Sequence, residues 1–431
     1  MTSTNETKNL SQAVREPVAG LDRAIRNASR HLLSMQDPEG YWWGELESNP
    51  TMEAEFLLLT RFLGIDDKET WRKLTNHLLK EQRPDGTWGQ FYGAPGDLST
   101  STECYFALKL AGVSPEEPSM KKARDFILSK GGVPETRVFT KIWLALFGQY
   151  EWRGVPTMPA EIMLLPNWFP ITIYDFSSWA RATVVPLLVV LDRKPVKPVP
   201  KSAAIDELYP LPRDRTDYSI KRPARLFGWE TFFYAGDIVL RHLEKLPWKP
   251  ARSQAIRKAE RWILAHQEAD GSWGGIQPPW VYSLMALNVL GYPLDHPVMN
   301  KGVQGFTSFS IEENDRLKVQ ACVSPLWDTC LTMIALLDGD VDPGHPALTR
   351  ASSWLSEQQI LTGGDWQVKA KGVSPGGWAF EFHNDLYPDL DDTSEIVMAL
   401  DRVAVLDDDV QRLAIDRAVH WLLGMQSHNG G

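Results

Sequence analysis

Gln82-Arg83-Pro84-Asp85-Gly86-Thr87-Trp88 is the stretch whose reading decides the fold. A helical segment, residues 74–82, runs into it with apolar residues at helical spacing. Asp85-Gly86 is turn chemistry, because glycine takes up a left-handed backbone at no steric cost. The same pattern stands at residues 28–36, ending at Gln36 and followed by Gly40-Tyr41-Trp42. It returns at residues 259–267, ending at Gln267, with Gly271-Ser272-Trp273. A fourth copy is read at residues 351–359, with Gln359 followed by Gly364-Asp365-Trp366. A fifth runs over residues 418–426 to Gln426 and Gly430-Gly431.

Gln36 and Gln82 are 46 residues apart, and the next two intervals are near multiples of that period. Diverged copies are therefore expected in the gaps. Between the copies, residues 51–64, 101–112, 138–148 and 279–291 also carry helical patterns that end at glycine. Each unit of about 46 residues is thus expected to be a helix pair. Strand signals are weak throughout. Stacked helix pairs give a solenoid or a closed α/α toroid, so the fold class is all-α. The repeated Gln and Trp are given a structural role, the Gln bonding free backbone groups at a helix end and the Trp covering it.

The composition sets limits. The chain has 431 residues, 43% hydrophobic and 23% charged, with 18 Trp and a net charge of −10. That is the balance of a globular protein and argues against general nucleic-acid binding. Cys104, Cys322 and Cys330 are too few and too scattered for a disulfide framework. The polar N-terminus lacks a signal-peptide core. The longest apolar run, residues 182–191, is too short to span a bilayer and contains Pro186. Residues 193–225 are rich in Pro and charge and read as loop. After them, Leu226, Trp229, Phe232 and Phe233 fall on one helical face, either core or a face that dips into a bilayer leaflet.

A second stretch carries chemistry: Asp389-Leu390-Asp391-Asp392-Thr393, after Pro388 and before the apolar Ile396, Val397, Met398 and Leu400. Pro and Asp before an apolar run mark a helix start. The plain reading is an acidic first turn favoured by the helix dipole. Three carboxyls so close raise one another's pKa, however, and one can keep its proton near neutral pH and act as a Brønsted acid. Trp378, Phe380, Phe382 and Tyr387 just upstream place these acids beside an aromatic surface.

Together the repeats resemble the QW motifs of the squalene–hopene and oxidosqualene cyclase family, and Asp389-x-Asp391-Asp392 resembles its DxDD motif. Gly40-Tyr41-Trp42-Trp43-Gly44, Ser178-Trp179-Ala180-Arg181, Gly274-Gly275-Ile276-Gln277, Ser324-Pro325-Leu326-Trp327-Asp328-Thr329 and Gly376-Gly377-Trp378-Ala379-Phe380 resemble further stretches of bacterial squalene–hopene cyclases.

The resemblance implies a double α-barrel. Residues 1–44 would belong to the catalytic barrel, 45–310 would form an inserted barrel, and 311–431 part of the catalytic barrel. It implies that Asp391 protonates the terminal alkene of squalene, tuned by Asp389 and Asp392. Trp179, Trp327, Phe380, Trp378 and Asp328 would line the cavity and stabilise cations. A ring face attracts a cation by about 0.5–2 kcal/mol yet is a poor base. Glu55, Glu103, Arg137, Gln277 and Tyr282 would order the water that ends the cascade, although Glu55 and Glu103 also read as plain surface carboxylates. No metal or cofactor is implied.

The expected partner is squalene from the bilayer, with the protein peripheral on the cytoplasmic face and homodimer formation left open. The family's supporting His and further aromatics have no counterpart before Gly431, so the chain alone is expected to be inactive. Three other readings stand beside this one. They are a cyclase for oxidosqualene or another polyprenyl substrate, a zinc prenyltransferase-like toroid using Asp328, Cys330 and His383, and a scaffold without chemistry.

Overall fold

Repeats of this kind bury an inner helix on all sides and leave an outer helix half exposed, and the chain sorts its helices in that way. The computed structural model describes residues 20–220, 222–223, 227–245, 249–404 and 408–431. In chain order the helices are α1 (Leu21–Ser34), α2 (Thr51–Leu63), α3 (Lys68–Glu81), α4 (Leu98–Leu110), α5 (Pro118–Ser129), α6 (Val138–Leu146), α7 (Ser178–Arg193), α8 (Trp229–Glu244), α9 (Arg252–Ala265), α10 (Gln277–Leu290) and α11 (Pro297–Gly305). A hairpin, β1 (Ser310–Glu313) and β2 (Arg316–Val319), leads to α12 (Pro325–Asp338), α13 (Pro346–Glu357), α14 (Leu390–Leu400) and α15 (Asp408–Met425).

Helices α2, α4 and α10 bury nearly every residue, polar ones included, as inner helices of a toroid do. Helix α2 packs against both α4 and α10, and α10 against α7, which draws the inner helices into a ring. Helices α3, α5 and α9 bury one stripe each and form the outer layer. Glycines in the left-handed region end the inner helices, Gly64 at φ +79 and Gly291 at φ +100. A second buried cluster gathers Trp42 with α12, α13, α14 and α15. Helix α1 packs on α12, so the N-terminal end of the described chain joins that second cluster.

The QW unit has one geometry throughout. In the first, Gln36 Nε2 donates to the Gly40 carbonyl at 2.8 Å and to the Ala347 carbonyl at 2.8 Å. Trp42 Nε1 donates to the Leu32 carbonyl at 2.7 Å, an acceptor in the last helical turn that also takes the Met35 N–H. The second unit repeats this with Gln82 on Gly86 and Ser119, and Trp88 on Leu78. The third does so with Gln267 on Gly271 and Val298, and Trp273 on Ile263. The Trp therefore satisfies the helix end, and the Gln ties the turn to the following outer helix. Each turn glycine abuts that helix three residues past the Gln contact. A Cβ on Gly40 would stand 2.9 Å from the Arg350 carbonyl oxygen, and one on Gly271 2.4 Å from that of Lys301.

The fourth unit differs from the sequence reading. Gln359 Nε2 donates to the carbonyls of Gly376 and Ala414, each at 2.8 Å. The indole that caps Leu355 is Trp378, at 2.7 Å. The turn glycine and Trp are thus Gly376 and Trp378, not Gly364 and Trp366, and residues 364–375 are an insertion inside the turn. Trp366 is half-buried and packs edge-on against Trp421 at 5.9 Å. In the fifth unit Gln426 Nε2 donates to the Gly430 carbonyl at 2.9 Å.

Two other expectations need correction. Residues 152–215 hold α7 and six short 3-10 turns rather than diverged helix pairs. The hairpin β1–β2 was also not anticipated. Its two-residue loop, Asn314-Asp315, has φ of +48 and +63, the geometry that suits a tight hairpin. Arg72 of α3 grips Asp315, and Glu53 of α2 accepts the Val319 N–H at 2.8 Å.

Candidate active site

The fourth QW unit positions the acids. Trp378 pairs with Asp389 in an antiparallel bridge, and the Asp389 N–H donates to the Trp378 carbonyl at 3.0 Å. The Trp378 N–H in turn donates to Thr393 Oγ1 at 2.9 Å. The Trp42 N–H uses Thr329, and that of Trp88 uses Ser101, in the same way. Hydroxyls in the first turns of α12, α4 and α14 thus dock these helices on the Trp segments.

Asp389 is the N-cap of α14, its Oδ1 accepting the Asp392 N–H at 2.8 Å. Asp392 is buried, with Oδ1 unpartnered. Burial, then the charge of Asp389, pushes its carboxyl up to about 9. Burial also raises Asp389. Asp391, in the same turn, is exposed. The sequence expectation that one acid stays protonated therefore falls first on Asp392, and desolvation outweighs like-charge repulsion as its cause. Trp327 of α12 and Phe380 face each other beside α14, with ring centroids 6.3 Å apart.

Other expected lining residues have different surroundings. Trp378 is fully buried and spends its indole N–H on Leu355, so it holds the repeat together rather than lining a cavity. Asp328 Oδ2 accepts the Gly44 N–H at 2.8 Å and the Ser324 hydroxyl at 2.9 Å, fastening the segment after Trp42 to α12. Trp179 is half exposed at the start of α7. Two residues on, Arg181 donates to Asp365 at 2.8 Å, and His266 meets the same carboxylate at 2.9 Å. This buried network joins α7 and α9 to the segment that leads into the acids. Asp328, Cys330 and His383 do not assemble: Asp328 is committed, the Cys330 thiol bonds the Trp327 carbonyl, and His383 is exposed. No metal-holding group of His, Cys, Asp and Glu occurs among the described residues.

The polar group of the inner ring does come together, and its glutamates are buried rather than on the surface. Glu103 Oε1 accepts from Arg137 at 3.2 Å and from the Thr140 hydroxyl. Burial raises Glu103, and raises Glu55 well above the usual carboxylate range, with Glu103 adding to the shift on Glu55. Tyr282 is buried beside them, its ring 6.1 Å from that of Trp143. Gln277 donates to the Met52 carbonyl at 2.9 Å and leaves Oε1 unpartnered. The side chains of Glu103 and Trp143 both interact with the Glu55 carboxyl. Trp143 was missed in the sequence because it sits in an apolar run that reads as core.

The aromatics of α8 do not pack into the core. Trp229, Phe232 and Phe233 are 75%, 57% and 65% exposed and touch one another, with centroids 5.5–6.1 Å apart. Leu226 lies outside the described residues. Beside α8 opens a cavity of about 1010 Å³ lined by residues including Val138, Tyr150, Leu211 and Tyr234. Asp389, Asp391 and Asp392 do not line it. No helix among the described residues is long and apolar enough to cross a membrane.

Residues 25–315 match the squalene–hopene cyclase N-terminal domain, and residues 323–431 the C-terminal domain of the same family. The chain belongs to the squalene–hopene cyclase family. A squalene–hopene cyclase of Alicyclobacillus acidocaldarius is 45% identical over 412 residues, covering 95% of this chain and 64% of its own length. A dammaradiene synthase of Dryopteris crassirhizoma is 44% identical, covering 95% of this chain and 60% of its own. A squalene–hopene cyclase of Zymomonas mobilis is 40% identical, with coverage of 94% and 63%. The chain therefore spans about three fifths of the length of these relatives.

Proposed function

We propose that this chain supplies the proton donor, and part of the cation-guiding surface, of a squalene cyclase that forms a hopene-type product. The observation that carries the reading is the acid group at the start of α14, held by the fourth QW unit beside Trp327 and Phe380. Asp389 is occupied as the helix cap and Asp392 is buried as a proton store. Asp391 is the member free to reach a substrate, and delivers the proton to the terminal alkene. The proton adds to one alkene carbon and leaves a tertiary cation on the other, which the next alkene attacks. Aromatic faces stabilise each cation without taking its proton. Glu55, Glu103, Arg137, Gln277 and Tyr282, with Trp143, order the water that removes or captures the last charge.

Substrate reaches the protein from a bilayer on which α8 rests, and the cavity beside Tyr234 supports that route. Such a protein is peripheral, on the cytoplasmic face. Names among the relatives include a dammaradiene synthase, so the cyclase class is better supported than one ring skeleton.

The test uses the chain extended by the remaining part of the 45% identical relative, with squalene in detergent micelles and products read by gas chromatography. Asp391→Asn should take conversion below detection, since loss of a general acid costs about 10²–10⁴-fold. Near-normal conversion by that variant would remove Asp391 from the donor role.

A further inference from the structure

His266 stands at the C-terminal end of α9, where the helix dipole favours a cation. Its ring is buried and stacks on Trp262, with centroids 3.6 Å apart. Nδ1 meets the Trp262 carbonyl at 2.7 Å, and Nε2 meets Asp365 Oδ1 at 2.9 Å. A carbonyl offers only lone pairs, and so does a carboxylate. The other oxygen of Asp365 accepts from Arg181 Nε at 2.8 Å, which favours the ionised carboxyl. Burial by itself would raise Asp365, but the bonds from His266 and Arg181 outweigh it and hold the carboxyl below its usual range. Both ring nitrogens therefore carry a hydrogen, and the geometry is that of an imidazolium. A neutral ring would turn a lone pair onto an acceptor in a buried site.

Asp365 connects this charge to the acids. Its N–H donates to the Leu386 carbonyl at 3.3 Å, three residues before Asp389. The Arg181 guanidinium lies 5.6 Å from the centre of the Tyr387 ring, and the His266 ring is 6.3 Å from it. Helices α7 and α9 thus grip the segment that enters α14 through one carboxylate. The other titratable groups around the ring are Tyr174, Tyr387 and Glu268. Burial raises both tyrosines, which stay neutral, and pushes Glu268 up to about 7.

We propose that His266 is a positioning residue for the acid group, and that its second proton closes a clamp of His266, Asp365 and Arg181 on the segment leading to Asp389, Asp391 and Asp392. The word positioning rests on reading those acids as the proton source of cyclisation. While the ring is charged, Asp365 is held from two sides and the segment is fixed. When the ring loses that proton, one nitrogen faces an acceptor without a hydrogen, Asp365 is left to Arg181 alone, and the segment loosens. The hold is therefore present while the ring is protonated and is lost as pH rises.

Hydrogen–deuterium exchange of the 431-residue chain tests the clamp without turnover. The amides of residues 386–393 are followed at pH 6 and pH 9, and their protection is taken relative to that of α4, which removes changes in the stability of the whole chain. His266→Arg supplies a permanent charge with donors for both acceptors. At pH 6 it should match the wild type. At pH 9 the wild type should be less protected than this variant by at least about tenfold. Glu268, Glu381 and Asp392 also titrate in this range, but they are the same in both chains and their effect cancels in the difference. His266→Gln, which cannot be charged, should show weak protection already at pH 6. A wild type as protected as His266→Arg at pH 9, or His266→Gln as protected as the wild type at pH 6, would overturn the proposal. Where His266→Gln folds poorly, the first comparison decides alone. Protection that follows the charge at residue 266 without squalene conversion by the extended chain would leave this inference standing and sink the cyclase reading; conversion with protection indifferent to that charge would do the reverse.

Discussion

Trp366 and Trp378 compete for the same place in the fourth repeat, and a single hydrogen bond separates them. The sequence favours Trp366, which lies at nearly the regular distance from Gln359. The structure gives the capping bond to Trp378, because residues 364–375 loop out and bring Gly376 against the Arg417 carbonyl. A repeat pattern counts residues along the chain, whereas the cap depends on where the chain returns. Trp378→Ala should therefore cost about 3–5 kcal/mol of stability, as loss of a fully buried indole does. Trp366→Ala should cost less than half as much in urea unfolding. Equal losses would return Trp366 to the repeat.

The other residue-scale differences share a cause. Asp391 and Asp392 are indistinguishable in sequence, yet the helix start leaves one exposed and buries the other. Glu381 is buried but gave no signal at all, since an acid in a polar loop is ordinarily solvated. By contrast, Glu103, Arg137 and Gln277 were readable only through family likeness; their burial follows from inner-helix positions that composition does not mark.

At the scale of elements, the helix pairs and their glycine stops were legible, because helical periodicity and left-handed caps are local properties. The hairpin β1–β2 escaped because its strands are four residues long, and the 3-10 segments because they carry no period. Helix α8 is where two readings stood open, and its exposed Trp229, Phe232 and Phe233 remove core packing. Glu244 at its far end pairs with Lys249 at 2.6 Å and with Arg252 of α9, which also holds Glu161 and Asp192 at 2.8 and 2.7 Å, so the aromatic face is presented from a fixed base. Each Phe side chain taken out of water contributes about 1.5–3 kcal/mol. Replacing both Phe232 and Phe233 with Ser should thus weaken liposome binding by at least about tenfold. Helical content by circular dichroism should not change. Undiminished flotation with liposomes would place the membrane contact elsewhere.

Across the whole molecule, burial has gathered acids that hold protons. Glu53 and Glu381 are pushed up to about 8, Glu268 to about 7 and Asp392 to about 9, each chiefly by burial. Each binds its proton more tightly in the folded chain than in the unfolded one. Their stabilisation is complete below the ordinary carboxylate range and is lost as pH rises through these folded values. His77, lowered to about 4 by burial, acts oppositely, but only as pH falls below about 6.5. The melting temperature should therefore fall steadily from pH 6 to pH 9, and Glu53→Gln should flatten the slope. A melting temperature constant or rising over that range would mean that these carboxyls are ionised in the folded state.

The central claim is that an aspartic acid at the start of α14 begins cyclisation by giving a proton to an alkene. Deuterium oxide tests it most directly. The chain extended by the remaining part of its 45% identical relative is equilibrated in deuterium oxide, supplied with squalene, and its polycyclic product weighed by mass spectrometry. The account predicts one carbon-bound solvent deuterium per product molecule, on the alkene CH carbon that received the initiating proton, and no product from Asp391→Asn. Polycyclic product without deuterium would contradict it.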